Sequence, residues 1–170
     1  MQQHFRMFAA YNRWANERLY AAAAELDDEE YRRDMRAFFV SIHGTLNHLL
    51  VTDRIWLHRF TGEGSAPRTL DAILFDRLDD LKTAREKEDA RIIGWIDGLG
   101  TDAIAGRFTY TTVSDMRTIS QRLAPALAHF FNHQTHHRGQ AHAILTALGK
   151  AAPSLDLIQF QRTEEGRPYS

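Results

Sequence analysis

Four stretches with the 3.6-residue spacing of amphipathic helices take up most of this 170-residue chain. They constrain its fold more than any other feature. The first runs from about Gln2 to Glu25, with Phe5, Phe8, Tyr11, Ala15, Leu19 and Ala22 at helical spacing. Asp27-Asp28-Glu29-Glu30 reads as a solvated turn. The second runs from about Asp34 to Phe60, with Phe38, Ile42, Leu49, Trp56 and Phe60 on its apolar arc. It stops before the breaker cluster Gly62-Glu63-Gly64-Ser65-Ala66-Pro67. The third runs from about Thr69 to Leu99 on a stripe of Leu70, Ile73, Leu74, Leu78, Leu81, Ile92, Trp95 and Ile96. Its charged middle, Lys82 to Arg91, reads as an exposed helix face. Phe108-Thr109-Tyr110-Thr111-Thr112-Val113 is β-branched and aromatic, with Ser114-Asp115 after it, and reads as a short strand or extended crossover. The fourth helix runs from about Ser120 to Gly149, with Pro125 in its first turns, where proline is tolerated. Beyond Pro153, the segment from Ser154 to Phe160 is apolar enough to pack on the helices, and the last ten residues read as loose. Four helices with short joins, except between the third and fourth, predict an all-α four-helix bundle. With no internal repeat and no dividing linker, residues 1–170 are expected to form a single domain.

Composition excludes several function classes. Apolar residues make up 44% and charged residues 25%, as in ordinary globular proteins. A net charge of −1 and the lack of any basic tract argue against nucleic acid and anionic membrane as partners. The chain has no cysteine, so any metal must use His, Asp, Glu, main chain or water, and any thiol must come from outside. No signal-peptide hydrophobic region opens the chain and no apolar run spans a bilayer, which predicts a cytoplasmic protein.

The chemistry is concentrated in His129-Phe-Phe-Asn-His133-Gln-Thr-His136-His137-Arg-Gly-Gln140. His133 and His137 are one helical turn apart, a spacing that lets two imidazoles chelate one divalent metal. Gln134 follows His133, so this is not the His-Glu-x-x-His of metalloproteases. At about 100° per residue, His137 falls about 40° from His133, inside the apolar arc of the fourth helix. His129 and His136 lie about 40° and about 60° to the other side. His142 faces away. His129 with His133 is the competing pair, and His136 is a flanking ligand or a substrate contact. In the second helix, His48 sits at the edge of the buried arc, while His43 and His58 point elsewhere. His48 is therefore the best third ligand, and its other reading is a hydrogen-bonded core histidine. Asp53 lies within that arc. It is a ligand, an acceptor behind one, or the partner of an arginine or an indole, since a buried carboxylate needs a cation or donors. Asn12, Trp14 and Asn16 are candidate partners for such polar groups.

Three segments carry a family resemblance: Tyr11-Asn-Arg-Trp-Ala-Asn16, His48-Leu-Leu-Val-Thr-Asp53-Arg-Ile-Trp56, and Leu127-Ala-His-Phe-Phe-Asn-His133-Gln-Thr-His-His137-Arg-Gly-Gln140. Together with Pro153-Ser-Leu-Asp-Leu157, they resemble the DinB/YfiT-like family of bundle metalloproteins over most of the chain. The resemblance implies an antiparallel four-helix bundle with a long connection between helices 3 and 4, often a homodimer. It also implies a three-histidine metal site, carried over here to His48, His133 and His137. Family members with known activities include thiol-dependent S-transferases and isomerases, and many members have none known.

Three neutral imidazoles leave a divalent metal its full charge and an open position, the pattern of catalytic rather than structural sites. Zinc or nickel suits such ligands. The expected function is a metal-dependent transferase that activates a low-molecular-weight thiol toward an electrophile. The alternatives are a hydrolase using bound hydroxide and a non-catalytic metal-binding stress protein. No side chain stands out as a general base.

Overall fold

The computed structural model describes residues 1–112 and 116–170. Val113, Ser114 and Asp115, at the end of the expected strand segment and just after it, lie outside the described residues. The helices are α1 (Gln2–Ala23), α2 (Asp28–Arg32), α3 (Ile42–Thr61), α4 (Leu78–Gly98), α5 (Thr101–Ala105), α6 (Leu123–Ala147) and α7 (Leu157–Gln161). The strands β1 (Arg107–Thr111) and β2 (Thr118–Arg122) pair antiparallel, Thr109 opposite Ser120. The four long helices α1, α3, α4 and α6 make the expected bundle. No helix among the described residues is long and apolar enough to cross a membrane.

Helix α1 packs on α4 and α6, and α3 packs on the same two. Thus α1 lies diagonal to α3, and α4 diagonal to α6. Directions follow from side-chain contacts. Gln2 reaches the Leu99 carbonyl while Asn16 reaches Asp89, so α1 and α4 are antiparallel. His48 meets His137 while Trp56 meets His129, so α3 and α6 are antiparallel. Asp53 meets Arg85 and Phe60 stacks on Trp95, so α3 and α4 run the same way. The order is up, down, down, up.

This topology corrects the expectation of short joins, because residues 24–41, 62–77 and 99–122 are all long. Two of these segments cross an end of the bundle between diagonal helices. The third must return the length of α3, about 30 Å at 1.5 Å per residue, before a parallel helix can start. For that reason the third helix begins at Leu78 and not near Thr69. Leu70, Ile73 and Leu74 have helical spacing, but the backbone there is claimed by α3. The Asn47 side-chain oxygen accepts from the Leu74 and Phe75 N–H groups at 2.8 and 3.0 Å.

Three other boundaries also shift. The second expected helix starts at Ile42, capped by the Ser41 hydroxyl, and Phe38 is 82% exposed rather than in the buried arc. The fourth starts at Leu123, because residues 118–122 pair as a strand. Asp27 to Glu30 forms a capping box that starts α2, with Asp27 accepting from the Glu30 N–H and Glu30 from the Asp27 N–H. The C-terminus is not loose. Tyr169 packs 6.2 Å from Phe160, its carbonyl accepts from Gln161, and Glu165 pairs with Arg13. Phe160 is fully buried beside Tyr11 and Trp14, as the apolar tail led one to expect.

Two apolar clusters fill the bundle. One centres on Leu19, Leu46, Leu50, Leu81 and Leu145, the other on Phe5, Leu57, Ile96, Leu127 and Phe130. Each such side chain contributes about 1.5–3 kcal/mol relative to exposure. Buried polar groups add a second kind of contact. Arg85 pairs with Asp53 at 2.6 Å and with Asp89 at 3.0 Å. Asn12 and Asn16 both donate to Asp89, and Arg138 donates to Asn12. The charged run of α4 is therefore not simply an exposed face, since Arg85, Glu88 and Asp89 are buried. They share the helix face of Leu81, Ile92 and Ile96, at spacings of three, four and seven.

Removing one member of a buried charge set leaves the others uncompensated. Arg85→Met is expected to lower the unfolding free energy by about 3–5 kcal/mol, read from urea denaturation. An unchanged midpoint would show that Asp53 and Asp89 do not depend on this cation.

Candidate metal centre

His48 sits on the second turn of α3, and His133 and His137 sit one turn apart on α6. Because α3 and α6 are antiparallel neighbours, the three rings converge. One ring nitrogen from each lies within 4.8 Å of the others. The His48 Nε2 is 3.2 Å from His137 Nε2, which is 3.1 Å from His133 Nε2. His48 and His137 are buried and His133 is half-buried. The sequence-predicted trio is thus brought together, and its members come from the expected helices.

The outer nitrogens fix what the inner ones can do. His48 Nδ1 is 2.7 Å from the Leu70 carbonyl, which only accepts, so Nδ1 carries the proton. His137 Nδ1 is 2.8 Å from Gln140 Oε1 and likewise donates, while Gln140 Nε2 faces His136 Nε2 at 3.1 Å. In the neutral rings, both facing Nε2 atoms then carry bare lone pairs. Two lone pairs 3.2 Å apart repel unless a cation lies between them. A proton is a poor candidate at neutral pH. Burial pushes His48 down to about 4, with the Leu70 carbonyl opposing and His137 assisting. Burial pushes His133 down to about 3, helped by the neighbouring histidines. His137 is lowered too, chiefly by burial. The donor set of three neutral imidazoles with no carboxylate fits a divalent metal.

The remaining candidates take other places. His129 packs on Trp56 at 5.1 Å and lies 5.8 Å from His133, outside the converging set. His136 touches His137 edge-on and faces Gln140, also outside it. His43 contacts the Phe75 carbonyl at 3.3 Å, and His58 the Glu63 carbonyl at 3.3 Å. Asp53 is the partner of Arg85, as one of its readings proposed, and it accepts from Gln134 at 2.7 Å. Burial pushes its carboxyl up to about 6, while Arg85 and Gln134 pull the other way. With two hydrogen bonds of 2.6 and 2.7 Å, we take the ionised form as its state at neutral pH. Gln134 is next to His133, so this carboxylate holds the turn of α6 that carries two of the histidines.

Sequence reasoning missed Phe39. Its ring stacks on His48 at 3.6 Å and meets His137 edge-on at 5.5 Å. It is placed by a tight turn before α3, in which Met35 N–H bonds the Val40 carbonyl and Val40 N–H bonds the Ala37 carbonyl. Arg36 and Val40 both adopt positive φ, 54° and 68°. For β-branched Val40 that conformation is costly, and it turns Phe39 inward while leaving Phe38 outside. No sequence signal marks such a turn when glycine is absent from it. A signal does exist two residues into the helix. A Cβ at Gly44 would clash with the Phe39 carbonyl oxygen, so only glycine lets the turn lie against α3.

The comparisons with known proteins bear on the family and the fold. The DinB family model matches residues 1–167. Protein DinB of Bacillus subtilis (strain 168) is 27% identical over 152 residues, covering 86% of this chain and 87% of that protein. A crystal structure of a DinB-like protein from Bacillus cereus superposes with a TM-score of 0.62 at 15% identity, covering 83% of this chain and 90% of that one. At that identity it speaks to the fold.

Gly44→Ala tests the placement of Phe39. It is expected to cost about 1–3 kcal/mol of stability through overpacking, read as a lower melting temperature. A variant as stable as the parent would mean that the turn can move away without loss.

Proposed function

This chain belongs to the DinB family, and we propose that residues 1–170 form one DinB-like domain whose His48, His133 and His137 hold a single divalent metal. The observation that carries this reading is the pair of facing lone pairs on His48 and His137, held in that tautomer by Leu70 and Gln140. When bound, the metal supplies an open Lewis-acidic position that favours the deprotonated form of a thiol or of water. We assign the site to a metal-dependent transferase that activates a low-molecular-weight thiol toward an electrophile. The absence of cysteine from the chain fits a thiol supplied from outside.

The protein's own residues do the positioning. Leu70 and Gln140 orient two rings through their outer N–H groups, a common way to set the direction and basicity of a ligating histidine. Phe39 covers the face of His48 and excludes water from it. Asp53, through Gln134, fixes the α6 turn. No side chain of this group has the placement of a general base, so proton removal from the thiol falls to solvent. We further propose that the protein acts in the cytoplasm, as a homodimer in the manner that the family resemblance implies. A hydrolase using water at the same position is the alternative.

Two measurements check this. Metal content of purified protein is expected to fall to near zero in His137→Ala and to stay at one equivalent in His142→Ala. Equal content in the two variants would remove the ligand assignment. With metal and electrophile held constant, product is expected only when a small thiol is added, and chelation is expected to abolish it. Thiol-independent turnover would transfer the reading to hydrolysis.

A further inference from the structure

Arg59 is a partly buried cation with no carboxylate partner among the described residues. Its guanidinium lies over Trp56 at 4.8 Å and over Tyr110 at 4.9 Å. Its Nε is buried and makes no hydrogen bond among the described residues. Other partly or fully buried arginines have polar partners: Arg54 pairs with Glu88, Arg6 with Asp97 and Arg85 with two aspartates, while Arg138 donates to Asn12. A half-buried charge left alone is costly, and an oxyanion from outside would offset that cost.

The position of Arg59 links it to the histidines. It follows His48 by eleven residues on α3, which returns it to within about 20° of the same face, about 16 Å further along the helix. Ring contacts join the two without a break. Tyr110 meets Trp56 at 6.0 Å, Trp56 meets His129 at 5.1 Å, and His129 meets His133 at 5.8 Å. His129 is exposed, and Trp56 and Tyr110 are partly so, which makes this line an open aromatic floor between α3 and α6. At the Arg59 end lies a cleft of about 610 Å³ bounded by β1 and the end of α3.

We infer that Arg59 is an oxyanion-binding subsite for the molecule taken at the three histidines. The molecule taken by the site is elongated, with its thiol end at the three histidines and a carboxylate or phosphate on the Arg59 guanidinium. Its middle lies along Trp56. This rests on the reading of the histidines as a metal centre that takes a thiol. A guanidinium fork accepts either oxyanion, while the aromatic floor favours a ligand with an apolar or planar span.

The test uses the full chain loaded with cobalt, whose thiolate charge-transfer absorption reports binding without turnover. ω-Mercaptoalkanoates and ω-mercaptoalkyl phosphates of increasing chain length are titrated against the matching ω-mercaptoalcohols. At the length that reaches from the histidines to Arg59, at least one oxyanion series is expected to bind about tenfold or more tightly than the alcohol. The better series identifies the oxyanion. Arg59→Gln is expected to erase the advantage at unchanged cobalt content, and Arg59→Lys to retain part of it. Equal binding of anion and alcohol at every length, or an advantage that survives in Arg59→Gln, overturns the subsite while leaving thiol binding intact. If no thiol produces the absorption, the thiol reading fails instead. ω-Carboxyalkyl hydroxamates and their methyl esters, which bind an open metal without a thiol, then decide on Arg59 alone. An Arg59-dependent preference for the acid supports the subsite, and its absence overturns it.

Discussion

The ion set Asp53–Arg85–Asp89 ties the bundle together. It joins α3 to α4 directly, reaches α1 through Asn12 and Asn16, and reaches α6 through Gln134 and Arg138. No apolar contact could specify so much. Leu or Phe side chains pack against many partners at many offsets, whereas a guanidinium between two carboxylates has one acceptable geometry. The desolvation cost of burying these charges roughly offsets their attraction, so the set adds little net stability. We read its contribution as register. With two parallel and two antiparallel helix contacts, a slip of one turn in any helix would leave a buried charge unpaired.

That register is what the histidine site needs. Ring nitrogens within 4.8 Å demand that α3 and α6 be aligned to a fraction of a turn. The Gln134 contact with Asp53 supplies this alignment one residue from His133. On the other side, the returning segment 62–77 passes along α3, and its Leu70 carbonyl accepts from the outer N–H of His48. The long join is thus a consequence of the parallel α3–α4 pair, and the site makes use of it. The same segment that delays the start of α4 sets the tautomer of a histidine.

The parts of this molecule legible in the sequence are those governed by local periodicity. The four helices, the inward pair His133 and His137, and His48 on the facing helix all follow from residues three, four and seven apart. The illegible parts depend on partners distant in the chain. Arg85 and Asp89 have the spacing of core residues, yet charge made them look solvated until Asp53, Asn12 and Asn16 were seen around them. Leu70, Ile73 and Leu74 have the spacing of a helix, yet the Asn47 side chain holds that backbone in another conformation. Phe38 and Phe39 are identical residues side by side, and the tight turn with positive φ at Arg36 and Val40 sets Phe39, not Phe38, on His48.

Helix geometry also gives the proposed site two chemically different ends. Neighbouring antiparallel helices present matching stripes, so His48, Trp56 and Arg59 on α3 run alongside His137, His133 and His129 on α6 in reverse order. At the His48 end the stripe is roofed by Phe39 and the return segment, and the rings there are buried and neutral. At the Arg59 end the described residues of the β-hairpin lie beside α3 and contribute Tyr110, an aromatic ring, to the guanidinium. The proposed site therefore passes from a nitrogen-rich, cation-seeking end to a cationic, anion-seeking end over about 16 Å of helix. A ligand that satisfies both must be extended and of mixed character, a stronger restriction on substrate shape than the three histidines impose alone.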